Sequence, residues 1–152
     1  MPELTPLLRD QRKVDADHLK LIAVFHFVLG ALSIAGLGFL FLHWSFMHMI
    51  FEHPDAWKGQ RGGPSPAAFF AIFKWFYVIG GVFLVGGGLA NVISGLLIRK
   101  RHARVFSLVI AGLNCLAFPL GTVLGVFTFL VLLRPSVEEL YEARSAKTPL
   151  VL

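Results

Sequence analysis

The sequence predicts an all-α fold: an integral membrane four-helix bundle in which spans 3 and 4 form a short helical hairpin, closed by a short amphipathic C-terminal helix. Three observations predict it. Of 152 residues, 56% are hydrophobic and only 15% charged, against roughly 25% charged in an ordinary soluble domain. The apolar residues gather into long runs between positions 19 and 133, too continuous for the striped helices of a soluble core. The loops between the runs alternate between basic and neutral, the charge pattern of a multi-pass membrane protein. At this length there is room for one compact unit. The expected division is a cytoplasmic tail over residues 1–18, a four-span domain over 19–134, and a cytoplasmic amphipathic helix and tail over 135–152.

Arg9, Asp10, Arg12, Lys13, Asp15 and Asp17 occupy the N-terminal stretch, and no small-residue cleavage site follows the first apolar run. This reads as a tail leading into an uncleaved anchor. Span 1 is expected over residues 19–42 after the cap Asp17, about 24 residues or ~36 Å of helix, enough to cross ~30 Å of hydrocarbon. The segment that follows, from His43 and Trp44 to His48 and Phe51, mixes aromatic, sulfur and imidazole groups as interfacial segments do. Pro54, Pro64, Pro66, Gly59, Gly62 and Gly63 then demand a loop in water.

Span 2 is expected to reach Ile98, with Lys74 beside Trp75 and Tyr77 as a snorkelling cation in an aromatic belt. The cluster Arg99, Lys100, Arg101, His102 and Arg104 follows at once. Such a block stays on the cytoplasmic side, where Arg99, Lys100, Arg101 and Arg104 would meet anionic lipid headgroups. It sits between two apolar runs without interleaved solvent-facing aromatics, so no nucleic-acid partner is expected.

Residues 105–133 are apolar but for Phe118-Pro119-Leu120-Gly121, a sequence suited to a tight turn. Splitting there gives two helices of about 14 residues, or ~21 Å each. Extension of the first into residues 100–104 would bring it near full length; a re-entrant hairpin, or one span kinked at Pro119, are the alternatives. Arg9, Arg12, Lys13 and Lys20 before the spans, and Arg134, Arg144 and Lys147 after them, place both ends on the side of the middle basic loop, which requires a hairpin. Beyond it, Ser136 and Glu139 have capping-box spacing, and Val137, Leu140 and Tyr141 share one face, as in a helix lying on the cytoplasmic membrane surface.

Small and polar residues recur at helical spacing inside the spans: Ala23, His26, Gly30 and Ser33; Gly87, Asn91 and Gly95; Ser107, Ala111 and Asn114; Gly121, Gly125 and Thr128. The glycines let backbones approach, and His26, Ser33, Asn91 and Asn114 are expected to point into the bundle and hydrogen-bond across helices. His26 is the ionisable side chain deepest in any span, a position that serves a proton relay, a ligand or one structural hydrogen bond. It has no second deep histidine to complete a haem pair. Near the end of span 1, His48 and Glu52 lie one turn apart with His53 adjacent, a spacing that could hold a small metal site, although ordinary interfacial side chains account for them. Cys115 sits alone in an apolar run. Gly86-Gly87-Gly88 lies within a span, not between a strand and a helix, and so is no nucleotide loop.

The segments from Phe25 and His26 to Gly30, from Phe118 and Pro119 to Gly125 and Thr128, and from Arg134 to Val137 resemble an uncharacterised family of small four-span bacterial membrane proteins. The resemblance covers most of residues 18–141 and is strongest in the hairpin. It implies a bacterial inner-membrane location and no particular activity; that both termini are cytoplasmic follows from the basic tails and middle loop. The expectation is a non-enzymatic subunit without cofactor, packed in the bilayer beside a larger membrane complex. The alternative is a homo-oligomeric channel or small-solute carrier with its path between copies.

Overall fold

The computed structural model describes residues 6–53 and 66–145. Among them are five helices: α1 (Pro6–Glu52), α2 (Pro66–Lys100), α3 (Arg104–Asn114), α4 (Leu120–Leu132) and α5 (Pro135–Ser145). The expected water-exposed loop, with Pro54, Gly59, Gly62, Gly63 and Pro64, lies outside the described residues, as do the two chain ends.

α1 is longer than the sequence suggested at both ends. Pro6 starts it, where a missing N–H costs nothing, and no proline interrupts it before Glu52. Asp17 is therefore no cap. Its carboxylate accepts from Lys20 Nζ at 2.9 Å, an exposed i,i+3 pair in mid-helix. The aromatic segment from His43 to Phe51 is likewise helical.

α2 also starts at a proline, and it ends in a Schellman-type turn: His102 N donates to Leu97 O at 2.9 Å and Arg101 N to Ile98 O at 3.0 Å. Arg101 and Ala103 both take left-handed backbone, with φ of 52° and 48°. A helix cannot run through two such residues, so α3 gains no extra turn from residues 100–103. α3 and α4 have 11 and 13 residues, ~16 and ~20 Å of helix, each short of a ~30 Å hydrocarbon core. They form the expected hairpin, joined through residues 115–119.

Two described helices, Gln11–Phe51 and Phe70–Lys100, are long and apolar enough to cross a membrane. Large apolar side chains also stand fully outward, Ile34 at 71% exposure and Phe83 at 74%. Such a surface suits lipid and not water, and points to a membrane protein.

The chain divides into two compact units: Met1–Gly30 with Ala90–Leu152, and Ala31–Leu89. In the first, Leu19, Ile22 and Ala23 of α1, Ile98 of α2, Leu124, Val131 and Leu132 of α4, and Val137 and Tyr141 of α5 form one buried cluster. The apolar face of α5 is thus spent on the protein's own core and not on a membrane surface. Two glycine seams draw its helices together. A Cβ on Gly95 would stand 3.0 Å from Ala23 O and from the Phe27 ring; one on Gly121 would stand 2.6 Å from Asn114 O. One on Gly125 would overlap Ala111 O and Cys115 Sγ. Only glycine fits at positions 121 and 125.

In the second unit α1 and α2 meet through Gly36 against Leu84, and through Leu40 against Gly80 and Gly81. Stacked and tilted rings, Trp44 with His48 and Phe51 with Phe70 among them, line its far end.

Candidate functional site

Polar groups are concentrated in the interior of the first unit. Asp15, His26, Ser94, Ser107 and Thr128 have no exposed surface, and Asn91 and Asn114 have 6%. The two asparagines bond reciprocally, Asn91 Nδ2 to Asn114 Oδ1 at 3.1 Å and Asn114 Nδ2 to Asn91 Oδ1 at 2.9 Å. This amide pair ties α2 to α3 at the level where Gly121 lets α4 approach Asn114.

His26 does not join that pair. Its Nδ1 donates to Ile22 O, one turn back on α1, at 3.0 Å. A carbonyl can only accept, so Nδ1 carries the proton and Nε2 of the neutral ring is a bare acceptor. Nε2 has no partner among the described residues, nor do the hydroxyls of Ser94, Ser107 and Thr128. Each of the four groups comes from a different helix, α1 to α4. What the arrangement offers chemically is unused hydrogen-bonding capacity: one ring acceptor and three hydroxyls able to donate or accept.

A second polar cluster lies where α1, α4 and α5 meet. Arg134 Nη1 donates to Asp15 Oδ1 at 3.0 Å, Ser136 Oγ to Asp15 Oδ2 at 2.6 Å, and Gln11 Nε2 to Asp15 Oδ1 at 3.2 Å. Both carboxylate oxygens are occupied. Arg134 Nη1 also lies 3.1 Å from His18 Nδ1, and since arginine has only donors, His18 accepts there. Ser136 therefore caps nothing. α5 begins at Pro135, with Arg134 O accepting from Val137 N and Glu138 N, so the capping-box reading of Ser136 and Glu139 gives way to the bond with Asp15. Nearby, Tyr141 is buried without a partner for its hydroxyl among the described residues, and that burial pushes its pKa up to about 12.

Arg104 takes a structural place instead of the expected headgroup contact. Its Nε donates to Leu132 O at 2.8 Å, satisfying a carbonyl at the C-terminus of α4, and Nη1 pairs with Glu138 at 2.6 Å with the side chain 19% exposed. Arg99 and Lys100 are exposed and Arg101 half-buried. In α2 the inward face is Gly88, Asn91, Ser94, Gly95 and Ile98, while Gly87 is exposed. Steps of four advance 400° around a helix, so 87, 91 and 95 spread over about 80°, whereas 88, 91 and 95 stay within about 60°. Ser94 was missed for the same reason. Gly30 is buried and Ser33 half-buried.

In the second unit, His43 Nδ1 and Tyr77 Oη share a hydrogen bond at 2.8 Å. His48 is flanked by Trp44 and Phe70, and His53 is exposed. The Glu52 side chain lies outside the described residues. Among the described residues no three metal-ligating side chains gather. No protein-family model, curated protein or solved structure matches the chain.

Proposed function

We propose that the protein is a non-enzymatic integral membrane subunit that packs beside a partner protein within the bilayer. On this reading α1 and α2 cross the membrane, and the α3–α4 hairpin enters and leaves from the face that carries both termini and the Arg99–Arg104 cluster. Its short arms favour a re-entrant insertion over two further complete crossings. The basic residues at Arg12, Lys13, Arg99, Lys100, Arg134 and Arg144 support placing that face in the cytoplasm, and the resemblance to small four-span bacterial proteins supports a bacterial inner membrane.

The observation that carries this reading is the outward glycine of the second unit. Gly38 and Gly86 are exposed, and among the described residues a Cβ at either would meet nothing within 4 Å beyond its own stretch of helix backbone. Glycine in a helix interior costs about 1 kcal/mol relative to alanine. An open glycine gives close approach to a helix from another molecule. A channel between copies draws less support, because the unpartnered hydroxyls and the His26 acceptor are enclosed inside the first unit and not on an outer face.

Purification in mild detergent followed by mass measurement tests the proposal. A stoichiometric heterologous membrane protein, lost on Gly86→Leu, is the expected result. A ring of identical copies would replace this reading with the oligomeric one.

A further inference from the structure

The geometry points to a binding site for a single anionic phospholipid in the groove between α1 and α2 of the second unit, its phosphate held at Lys74 and an acyl chain lying along Leu40, Leu37 and Val78. This rests on the membrane reading of α1 and α2, but not on any protein partner.

The groove has a volume of about 390 Å³ and is walled by Leu37, Leu40, Phe41, Trp44, Tyr77 and Val78, with Lys74 at one end. Its walls are apolar along their length, and their polarity is confined to that end. There Lys74 is exposed, with no carboxylate paired to it among the described residues, and Tyr77 carries the hydroxyl that shares a hydrogen bond with His43. Phe41 and Val78 are 64% and 51% exposed, so the groove opens sideways onto the surface that faces lipid. An open apolar groove in that position is filled by hydrocarbon, because water there would leave its hydrogen bonds unmade.

Depth selects the head. About 26 residue steps along α2 separate Lys74 from Lys100, ~39 Å at 1.5 Å per residue, close to the ~40–45 Å between the headgroup layers of a bilayer. With Arg99 and Lys100 in one layer, Lys74 stands at the other, among Trp44, Trp75 and Tyr77 as an aromatic belt. From that level the walls descend toward the bilayer middle, from Trp44 through Phe41 and Leu40 to Leu37 on α1, and from Lys74 to Val78 on α2. A cation at phosphate depth above an apolar slot has the charge order of an anionic phospholipid. A zwitterionic lipid presents its own cation beside the phosphate and gains less.

Native mass spectrometry of the full chain in detergent tests this with three probes added separately: phosphatidylglycerol, phosphatidylethanolamine and oleate. Phosphatidylglycerol should be retained as one tightly held copy, at least about fivefold over phosphatidylethanolamine, the preference one headgroup-level lysine supplies. Lys74→Gln should abolish that preference while melting like the parent. Val78→Trp, which fills the slot but leaves the cation, should lower retention of phosphatidylglycerol. Equal retention of the two phospholipids by the parent, or an unchanged preference in Lys74→Gln, overturns the site, the latter transferring the lipid to the Arg99–Arg101 end. Oleate displacing phosphatidylglycerol from the parent at equal concentration overturns the phospholipid as occupant.

Discussion

The two units use glycine in opposite ways. In the first, Gly95, Gly121 and Gly125 are filled positions: another backbone or ring already occupies the space a side chain would take. In the second, Gly38 and Gly86 open onto empty surface, and a Cβ on Gly80 or Gly81 would lie 3.8 Å from one Leu40 methyl, an ordinary contact. Among the described residues, the first unit encloses Asp15, His26, Asn91, Ser94, Ser107, Asn114 and Thr128; the second has an apolar groove and a ring-lined end. One region has completed its packing within the chain. The other leaves glycines and an apolar groove open at its surface.

The largest expected effect breaks this comparison directly. Gly125→Leu should cost roughly 3 kcal/mol or more, because the new side chain overlaps α3 backbone that cannot yield as a flexible side chain can. Gly86→Leu should leave the purified chain within about 0.5 kcal/mol of the parent. Thermal melting of both in one detergent checks the pair, and similar losses would mean that Gly86 is packed within the chain after all.

The next effect lies at the junction of α1, α4 and α5. Arg134→Ala leaves the fully buried Asp15 carboxylate without its cation, whereas Asp15→Ala leaves an arginine whose side chain is 34% exposed and can reach water. Breaking a buried pair costs about 3–5 kcal/mol, discounted here for that exposure. Arg134→Ala should therefore cost about 2–3 kcal/mol, and Asp15→Ala less. Limited proteolysis should cut α5 first in both. Equal losses would mean that the bond from Ser136 to Asp15, and not the charge pair, holds α5.

Much of this architecture was legible in the sequence, and the failures have a common cause. Helical periodicity put Asn91 and Asn114 inside and identified the Gly121 and Gly125 seam, and the turn signal at Pro119 and Gly121 split the last apolar run. These signals are local. Asp15 was invisible as a core residue because its partners Arg134 and Ser136 lie 119 and 121 positions away, and in sequence it is one of several tail charges. Three consecutive glycines left the face of α2 ambiguous by one residue, which cost Gly88 and Ser94. Capping-box spacing at Ser136 and a basic cluster at Arg104 are common surface patterns, and each was overridden by a tertiary partner.

His26 gives a smaller and more discriminating test. Its hydrogen bond is to Ile22 of its own helix, and its Nε2 is a buried acceptor without a partner among the described residues. Replacing such a group by an apolar one of similar size removes a desolvation cost of roughly 1–3 kcal/mol while losing one modest bond. His26→Leu should thus melt at or slightly above the parent, with His26→Gln no higher. A clear loss in His26→Leu would show that Nε2 has a partner in the folded protein. A functional role would show as lost activity in a variant that is fully folded.

The smallest effect at neutral pH belongs to Tyr141, and it sharpens the picture of α5 as part of the core. Its pKa is raised from 10.0 to about 12 because burial disfavours the phenolate, against the pull of Arg104 and Arg101. The folded state thus holds this proton more tightly than the unfolded state does. The stability linked to it is complete below about pH 10 and is lost as pH rises through about 12. Tyr141→Phe removes a hydroxyl that has no partner among the described residues, so it should change stability at pH 7 by no more than about 0.5 kcal/mol and flatten the alkaline decline. The chain has two tyrosines, so in a Tyr77→Phe background the ultraviolet absorbance of phenolate reports Tyr141 alone. A titration midpoint near 10 there would mean that α5 leaves the core in solution, returning its apolar face to the membrane surface.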